Sequence, residues 1–253
     1  MTGTRYYAYG VVRSSDGHRP EGEGLFGSPV EVRQLDDLGV VLSATDRDEI
    51  MATRRNMMAH TRVLEHIMAS GPVLPFRFGV VVPEEHLEPV LLGRKRSDLL
   101  DCFEALDGRL EMGVRVALNR EAVIAALVRE NDGLSAAYRE LSGRDPKQTH
   151  YQRIDLGREV HRLLMEQRAA VAEELRGLLA PLAEDVVEHE PADDLEALHL
   201  SLLVSPEGEQ AITRELEGFD QRSPDLFAIK IVSPVPPYNF VKLQLGSAED
   251  MAA

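Results

Sequence analysis

The sequence has no tryptophan, one cysteine and four lysines, and each scarcity removes a class of protein. With Cys102 alone no internal disulfide can form, which fits a reducing compartment rather than a secreted, cross-linked scaffold. Positive charge is also short: 28 Lys plus Arg against 43 Asp plus Glu leave a formal net charge of −15. A nucleic-acid binder needs cations to displace counterions from phosphates, and an anionic membrane surface makes the same demand, so neither partner is expected. Residues 1–10 lack the apolar core of an export signal, and no run reaches the roughly 18 apolar residues of a membrane span. A cytoplasmic chain is the expectation.

The usual marks of catalysis are missing too. There is no glycine-rich phosphate loop and no cysteine pair for zinc. His60 and the Glu65-His66 pair share a helical stretch, but residues six apart on a helix do not converge on one ion, so two half-exposed helix histidines are expected and no metal. His150, His161, His189 and His199 are scattered and nominate no nucleophile–base pair. The carboxylate pairs Glu173-Glu174, Glu184-Asp185 and Asp193-Asp194 read as solvated faces. Cys102 sits among apolar residues at helical spacing, with acids nearby that oppose a thiolate, and reads as a small buried hydrophobe. Nothing in these residues nominates a catalytic or cofactor site, and an enzyme whose site only the fold assembles stays open at this point.

What is present is an ordinary globular composition, 43% hydrophobic and 28% charged over 253 residues, enough for one or two domains. Aromatic and β-branched residues predict strands at 6–12, 30–35 and 40–44, with a tight turn at Asp36-Asp37-Leu38-Gly39. A helix is expected over 46–69, stopped by Ser70-Gly71-Pro72, then a strand over 73–82 whose Pro75 marks an edge, then helices over 83–92 and 95–106. From 110 a second pattern opens. Met112, Val114, Val116 and Leu118 alternate with Glu111, Gly113, Arg115 and Ala117, the period of a strand with one buried face. Asn119 caps a helix at 120–130, and further helices follow at 134–141 and 152–179. The apolar stripe of the last, Ile154 to Leu179, is expected to face protein throughout. Strands at 186–190 and 198–204, a helix at 207–216 and strands at 227–232 and 239–245 complete the chain.

The fold class is therefore α+β with two domains. Residues 1–108 form an N-terminal α+β domain. Residues 109–246 form a ferredoxin-like split β-α-β domain with an antiparallel sheet and long helices, and residues 247–253 a flexible tail.

Two segments are not explained by bulk structure. In Leu74-Pro-Phe-Arg-Phe-Gly79, Arg77 lies between aromatics and could stack or pair at an interface; alternatively the rings face the core and Arg77 faces water. In Ser233-Pro-Val-Pro-Pro-Tyr-Asn-Phe-Val241, three prolines hold the chain extended. Tyr238 and Phe240 could then anchor a partner or clamp one domain to the other, or the segment could be a rigid connector between two strands. Arg77, Phe78, Pro236, Pro237 and Tyr238 are the candidate partner-binding residues.

These segments together resemble the gas vesicle protein F/L family. The matching pieces are Tyr7-Ala-Tyr-Gly-Val-Val12, the helix with His60, Val63 and Leu64, Val73-Leu-Pro-Phe-Arg-Phe-Gly79, Gly108 to Val116 with Glu111 and Val114, and Pro234-Val-Pro-Pro-Tyr-Asn-Phe-Val241. The chain departs from the family's Gly-Pro-Trp-Pro-Pro-Tyr type of segment in carrying Ser233 and Val235. The resemblance implies an accessory or minor structural protein of gas vesicle assembly. Its implied partners are the small hydrophobic shell protein and other accessory proteins, with no enzymatic activity or cofactor. On fold analogy alone, a small-ligand-binding regulatory α+β protein is the alternative.

Overall fold

The computed structural model describes residues 4–18, 20, 22–87 and 96–241. The chain divides into two compact units, one comprising Met1–Glu111 and Pro234–Ala253, the other Met112–Ser233.

The first unit is built on strand β1 (Arg5–Arg13), which is buried along nearly its whole length. The backbone of so buried a strand needs hydrogen-bond partners on both edges, and β1 has them. β2 (Val30–Leu35) and β3 (Leu38–Thr45) form an antiparallel hairpin, and β3 pairs with β1 from Arg5↔Thr45 to Arg13↔Leu38. The other edge takes β4 (Leu74–Pro75) and β5 (Val81–Pro83), giving the order β2-β3-β1-β4 with β5 also on β1. The strand expected over 73–82 is thus broken in two. Pro75 lacks an N–H to extend the ladder. The intervening residues stay tied to β1 through Phe76 N–H to the Tyr9 carbonyl at 2.8 Å and Ala8 N–H to the Val80 carbonyl at 3.0 Å. Gly10 is what lets β4 approach: a Cβ there would stand 2.6 Å from the Leu74 carbonyl oxygen.

Helix α1 (Arg54–Met68) covers this sheet. Its buried side, His60, Val63, Leu64 and Ile67, follows the i, i+3, i+4, i+7 rhythm and packs with Tyr7, Tyr9, Val12 and Val41 in one core. It starts at 54, not 46. The Thr53 side chain accepts the Asn56 N–H at 3.3 Å and so caps the helix there, while Ile50 is drawn into the core as part of the preceding connection. Helix α2 (Arg96–Leu106) buries Leu99, Phe103 and Leu106 and is closed by Gly108 at φ 69. Cys102 on α2 is half-buried, so it flanks the apolar stripe and is not inside it. Residues 88–92, half of the helix expected over 83–92, lie outside the described residues; in the other half Glu84–His86 is a single 3-10 turn.

The second unit runs β6 (Leu110–Leu118), α3 (Arg120–Glu130), α4 (Asp132–Ser142), α5 (His150–Leu179), β7 (Asp185–Glu188), β8 (Glu196–Val204), α6 (Pro206–Arg222) and β9 (Phe227–Val235). Its antiparallel sheet has the order β7-β8-β6-β9, which is the split β-α-β order. Side chains cap the helices where the sequence offers them: Asn119 for α3, Asn131 for α4 and Ser205 for α6. The α5 stripe is buried only in its second half, at Leu164, Val171, Leu175 and Leu179; Ile154 is exposed. The strand expected over 239–245 begins as a turn at Asn239 and Phe240, and residues 242–245 and the tail 247–253 lie outside the described residues.

Candidate functional site

The chain after Ser233 groups with the first unit, and its anchoring there creates the most elaborate polar arrangement in that unit. His60 projects from α1 into the aromatic core and is only 2% exposed, so the expectation of a half-exposed helix histidine fails. Its apolar spacing with Val63, Leu64 and Ile67 was the available signal: on that face a histidine must enter the interior. There it is fully partnered. Nδ1 lies 2.9 Å from the Tyr7 hydroxyl, and Nε2 lies 2.9 Å from the Tyr238 hydroxyl. The Tyr7 oxygen also accepts the Gly79 N–H at 3.1 Å. The pattern is satisfied when Tyr7 donates to Nδ1 and the ring hydrogen sits on Nε2, facing Tyr238.

Rings enclose the imidazole. Tyr9 stacks on it at 5.6 Å, and Tyr7 and Phe78 meet it edge-on at 5.7 Å each. Tyr9 is held in turn by Ser43 Oγ at 3.0 Å and by the Leu25 N–H at 2.8 Å. Burial in this setting disfavours charge. It pushes His60 down to about 4, opposed in part by a hydrogen bond to the Phe76 backbone. Burial also raises the Tyr7 phenol, and it raises the Tyr238 phenol with help from the Glu111 carboxylate. All three groups are neutral near pH 7, so the cluster has neither a charged nucleophile nor a strong base.

A second anchor lies beside the first. Glu111, at the start of β6 and 3% exposed, accepts the Asn239 backbone N–H at 3.1 Å through one carboxylate oxygen and the Asn239 side-chain amide at 2.6 Å through the other. Charge-assisted bonds of this kind are about twice as strong as neutral ones. Pro236, Pro237 and Phe240 are buried alongside. The proline-rich segment is therefore a strap fixed at Tyr238 and Asn239. Its opening residues up to Val235 belong to β9, so it is not a free connector between two strands.

Of the candidate partner-binding residues, Phe78 and Tyr238 are brought together at His60. Arg77 is exposed next to Phe78, and Phe76 is fully buried. Tyr238 keeps 40% of its surface exposed although its hydroxyl turns inward. Pro236 and Pro237 are covered.

In the second unit, two histidines that look scattered in sequence meet across the β7–β8 side of the sheet. The His189 and His199 rings are 4.3 Å apart; His199 Nε2 accepts from Arg115 at 3.1 Å, and His189 Nε2 contacts Ser201 Oγ at 3.0 Å. Burial and the Arg115 charge lower His199. Among the described residues, no three His, Cys, Asp or Glu side chains are placed to hold a metal, and no helix is long and apolar enough to cross a membrane.

Comparison with known proteins gives one consistent result. Residues 5–242 match the family model described as gas vesicle synthesis protein GvpL/GvpF. A gas vesicle protein F from Streptomyces sp. (strain CB03234) is 30% identical, covering 93% of this chain and 99% of that one. One from Dolichospermum flosaquae is 26% identical, covering 94% and 97%. Gas vesicle protein L of the same Streptomyces is 26% identical, covering 96% and 94%. Among solved structures, GvpF from Anabaena sp. PCC7120 superposes with a TM-score of 0.74 at 24% identity over 95% of this chain and 97% of that one. GvpF from Microcystis aeruginosa gives 0.72 at 23% over 96% and 100%, and both share the fold.

Proposed function

The chain belongs to the gas vesicle synthesis protein GvpL/GvpF family, and from that premise we propose that it is a non-enzymatic accessory protein of gas vesicle assembly that binds the small hydrophobic shell protein. The match over residues 5–242, which spans both compact units, is the observation that carries the reading. The protein works in the cytoplasm and at the growing vesicle, together with other accessory proteins.

Strand addition at a sheet edge is the mode that suits an apolar, strand-rich partner, because main-chain bonds supply affinity. The edge formed by β4 and β5 is short and interrupted by Pro75 and Pro83. β9 is a better platform. It is an edge strand of nine residues, it tolerates Pro234 because an edge position does not need every N–H, and it leaves Ile231 and Val232 exposed. A long apolar edge of this kind invites pairing unless it is covered. A net charge of −15 keeps the resulting complex soluble.

Co-expression with the small shell protein, followed by size-exclusion chromatography, tests the reading. A soluble complex that elutes as one species, and is lost when this chain is omitted, is the expected result. Shell protein that aggregates equally with and without this chain would refute it.

A further inference from the structure

The first unit carries a cleft whose chemistry is opposite to that of the chain as a whole. It is an open cavity of about 700 Å³ between the connection that follows β1 and the outer face of α1, walled by Phe26, Arg54, Arg55, Met58 and Arg62. In a chain with 43 acidic residues, arginines elsewhere are mostly consumed: Arg5, Arg13, Arg33, Arg96, Arg162, Arg176 and Arg222 all sit in ion pairs. Arg54, Arg55 and Arg62 are exposed and have no ion pair among the described residues, against one carboxylate, Glu23, in the wall.

The apolar part of the cleft is held outward. Phe26 has φ 57, a conformation that costs a bulky side chain energy, and its ring is 51% exposed. The Arg47 guanidinium stacks over it at 4.2 Å, which fixes the ring and adds a fourth cation at the rim. Met58 in the wall and Met57 and Met51 beside it are exposed too. Methionine is flexible and polarizable, and it is common on surfaces that accept apolar anchors of varied shape.

We propose that this cleft is a docking site for an acidic amphipathic helix of a partner protein, with a large apolar side chain seated between Phe26 and Met58 and carboxylates on Arg54, Arg55 and Arg62. Charge complementarity selects this occupant. An acidic segment is repelled by most of this chain and attracted here, so the cleft sets both site and register. A nucleic acid would gain from the arginines but has no use for the methionines, and it meets a net charge of −15 everywhere else. The site is distinct from the β9 edge, so the two surfaces can hold partners of different chemistry.

The test uses the full chain and a fluorescein-labelled model helix with leucine on one face and glutamate on the other, with a counterpart carrying lysine for glutamate. Anisotropy titration is expected to show the glutamate helix binding at least about tenfold tighter than the lysine helix, and weakening as salt rises from about 50 to 300 mM. The double variant R54E/R55E changes only exposed side chains and is expected to lose roughly tenfold in affinity for the glutamate helix, with an unchanged melting temperature. M58S weakens both helices. Equal binding of the two helices, unaltered binding by R54E/R55E, or binding to phosphatidylglycerol vesicles in place of the glutamate helix would overturn the proposal. Loss of the shell-protein complex is read separately and does not bear on it.

Discussion

The Nε2 atom of His60 lies 2.9 Å from the hydroxyl of Tyr238, a residue 178 positions further along the chain. One hydrogen bond thus joins α1 to the strap that follows β9, and both ends belong to the same compact unit. The first unit is complete only when its final segment has come back to it.

Removing the Tyr238 hydroxyl tests how much that bond contributes. In Y238F the ring still fills its place, but Nε2 of a buried histidine loses its partner, which costs about 1–3 kcal/mol. Urea titration of the full chain should show this loss, and limited proteolysis should cut the strap faster. Unchanged stability together with unchanged proteolysis would mean that the Glu111–Asn239 anchor and the buried prolines hold the segment without this bond.

His60 should also make the first unit acid-sensitive. Its folded value is about 4, below the usual 6.5, because burial disfavours the cation. In the window between these values the unfolded chain binds the proton more readily, so stability rises with pH there. The contribution is fully present above about 6.5 and is lost as pH falls through 4, amounting to about 3 kcal/mol. Urea midpoints measured from pH 7 to pH 4 should fall more steeply for the wild type than for H60Q. Parallel curves would contradict the assignment.

The Glu111–Asn239 anchor and the His60–Tyr238 anchor grip adjacent residues, so their losses should not add. E111A removes an acceptor from two donors and is expected to cost about 2–4 kcal/mol. Once the strap is released, losing Tyr238 as well has less to undo. A double-mutant cycle of E111A with Y238F should therefore give a coupling of about 0.5–3 kcal/mol, whereas simple additivity would show two independent contacts.

Local pattern made much of this fold legible in the sequence, and long-range pairing limited the rest. Met112, Val114, Val116 and Leu118 alternate and are all buried, because strand period is a property of consecutive residues. Asn119 was readable as a cap for the same reason. His60 was not readable as a hub: its apolar face is visible in the sequence, but Tyr7 and Tyr238 are brought to it only by the fold. Glu111 stood out only as the charged residue opening an alternating strand, and its partner Asn239 is 128 positions away. The first half of the α5 stripe failed for a related reason. Periodicity shows which residues share a face, as Leu156, Val160 and Leu163 do, but not whether another element covers that face. The end of β9 and the strap share one proline-rich run, and nothing in its composition marks where the strand stops.

The close approach of β1 and β4 at Gly10 gives a prediction of the opposite kind, from a missing side chain. A Cβ would meet the Leu74 carbonyl at 2.6 Å and Val73 Cγ2 at 3.0 Å, and a backbone oxygen cannot turn away as a side chain can. G10A should push β4 off β1 and cost about 1–3 kcal/mol, the usual range for overpacking. Because β4 begins the segment that carries Phe76 and Phe78, the same change should loosen the ring enclosure of His60, visible as faster amide exchange at Gly79. A melting temperature equal to wild type would show that the strands can separate without cost.

The β9 edge supplies the prediction closest to function. Val232 is 44% exposed and Ile231 little less, on a strand whose outer edge has no neighbour among the described residues. Natural edges are protected by charge, and Lys230 already supplies one such group. Adding two more, in I231K and V232E together, changes residues that point to opposite faces of the strand but are both more than a third exposed, and should shift stability by no more than about 0.5 kcal/mol. Pairing with an apolar strand, however, would bury both charges, and a buried unpaired charge is far costlier than the main-chain bonds can offset. The double variant should fold normally, shown by an unchanged melting temperature, and yet fail to keep the shell protein in solution on co-expression. If it retains the shell protein as well as wild type does, the β9 edge is not the binding surface, and the exposed rim at Arg77, Phe78 and Tyr238 becomes the surface to mutate next.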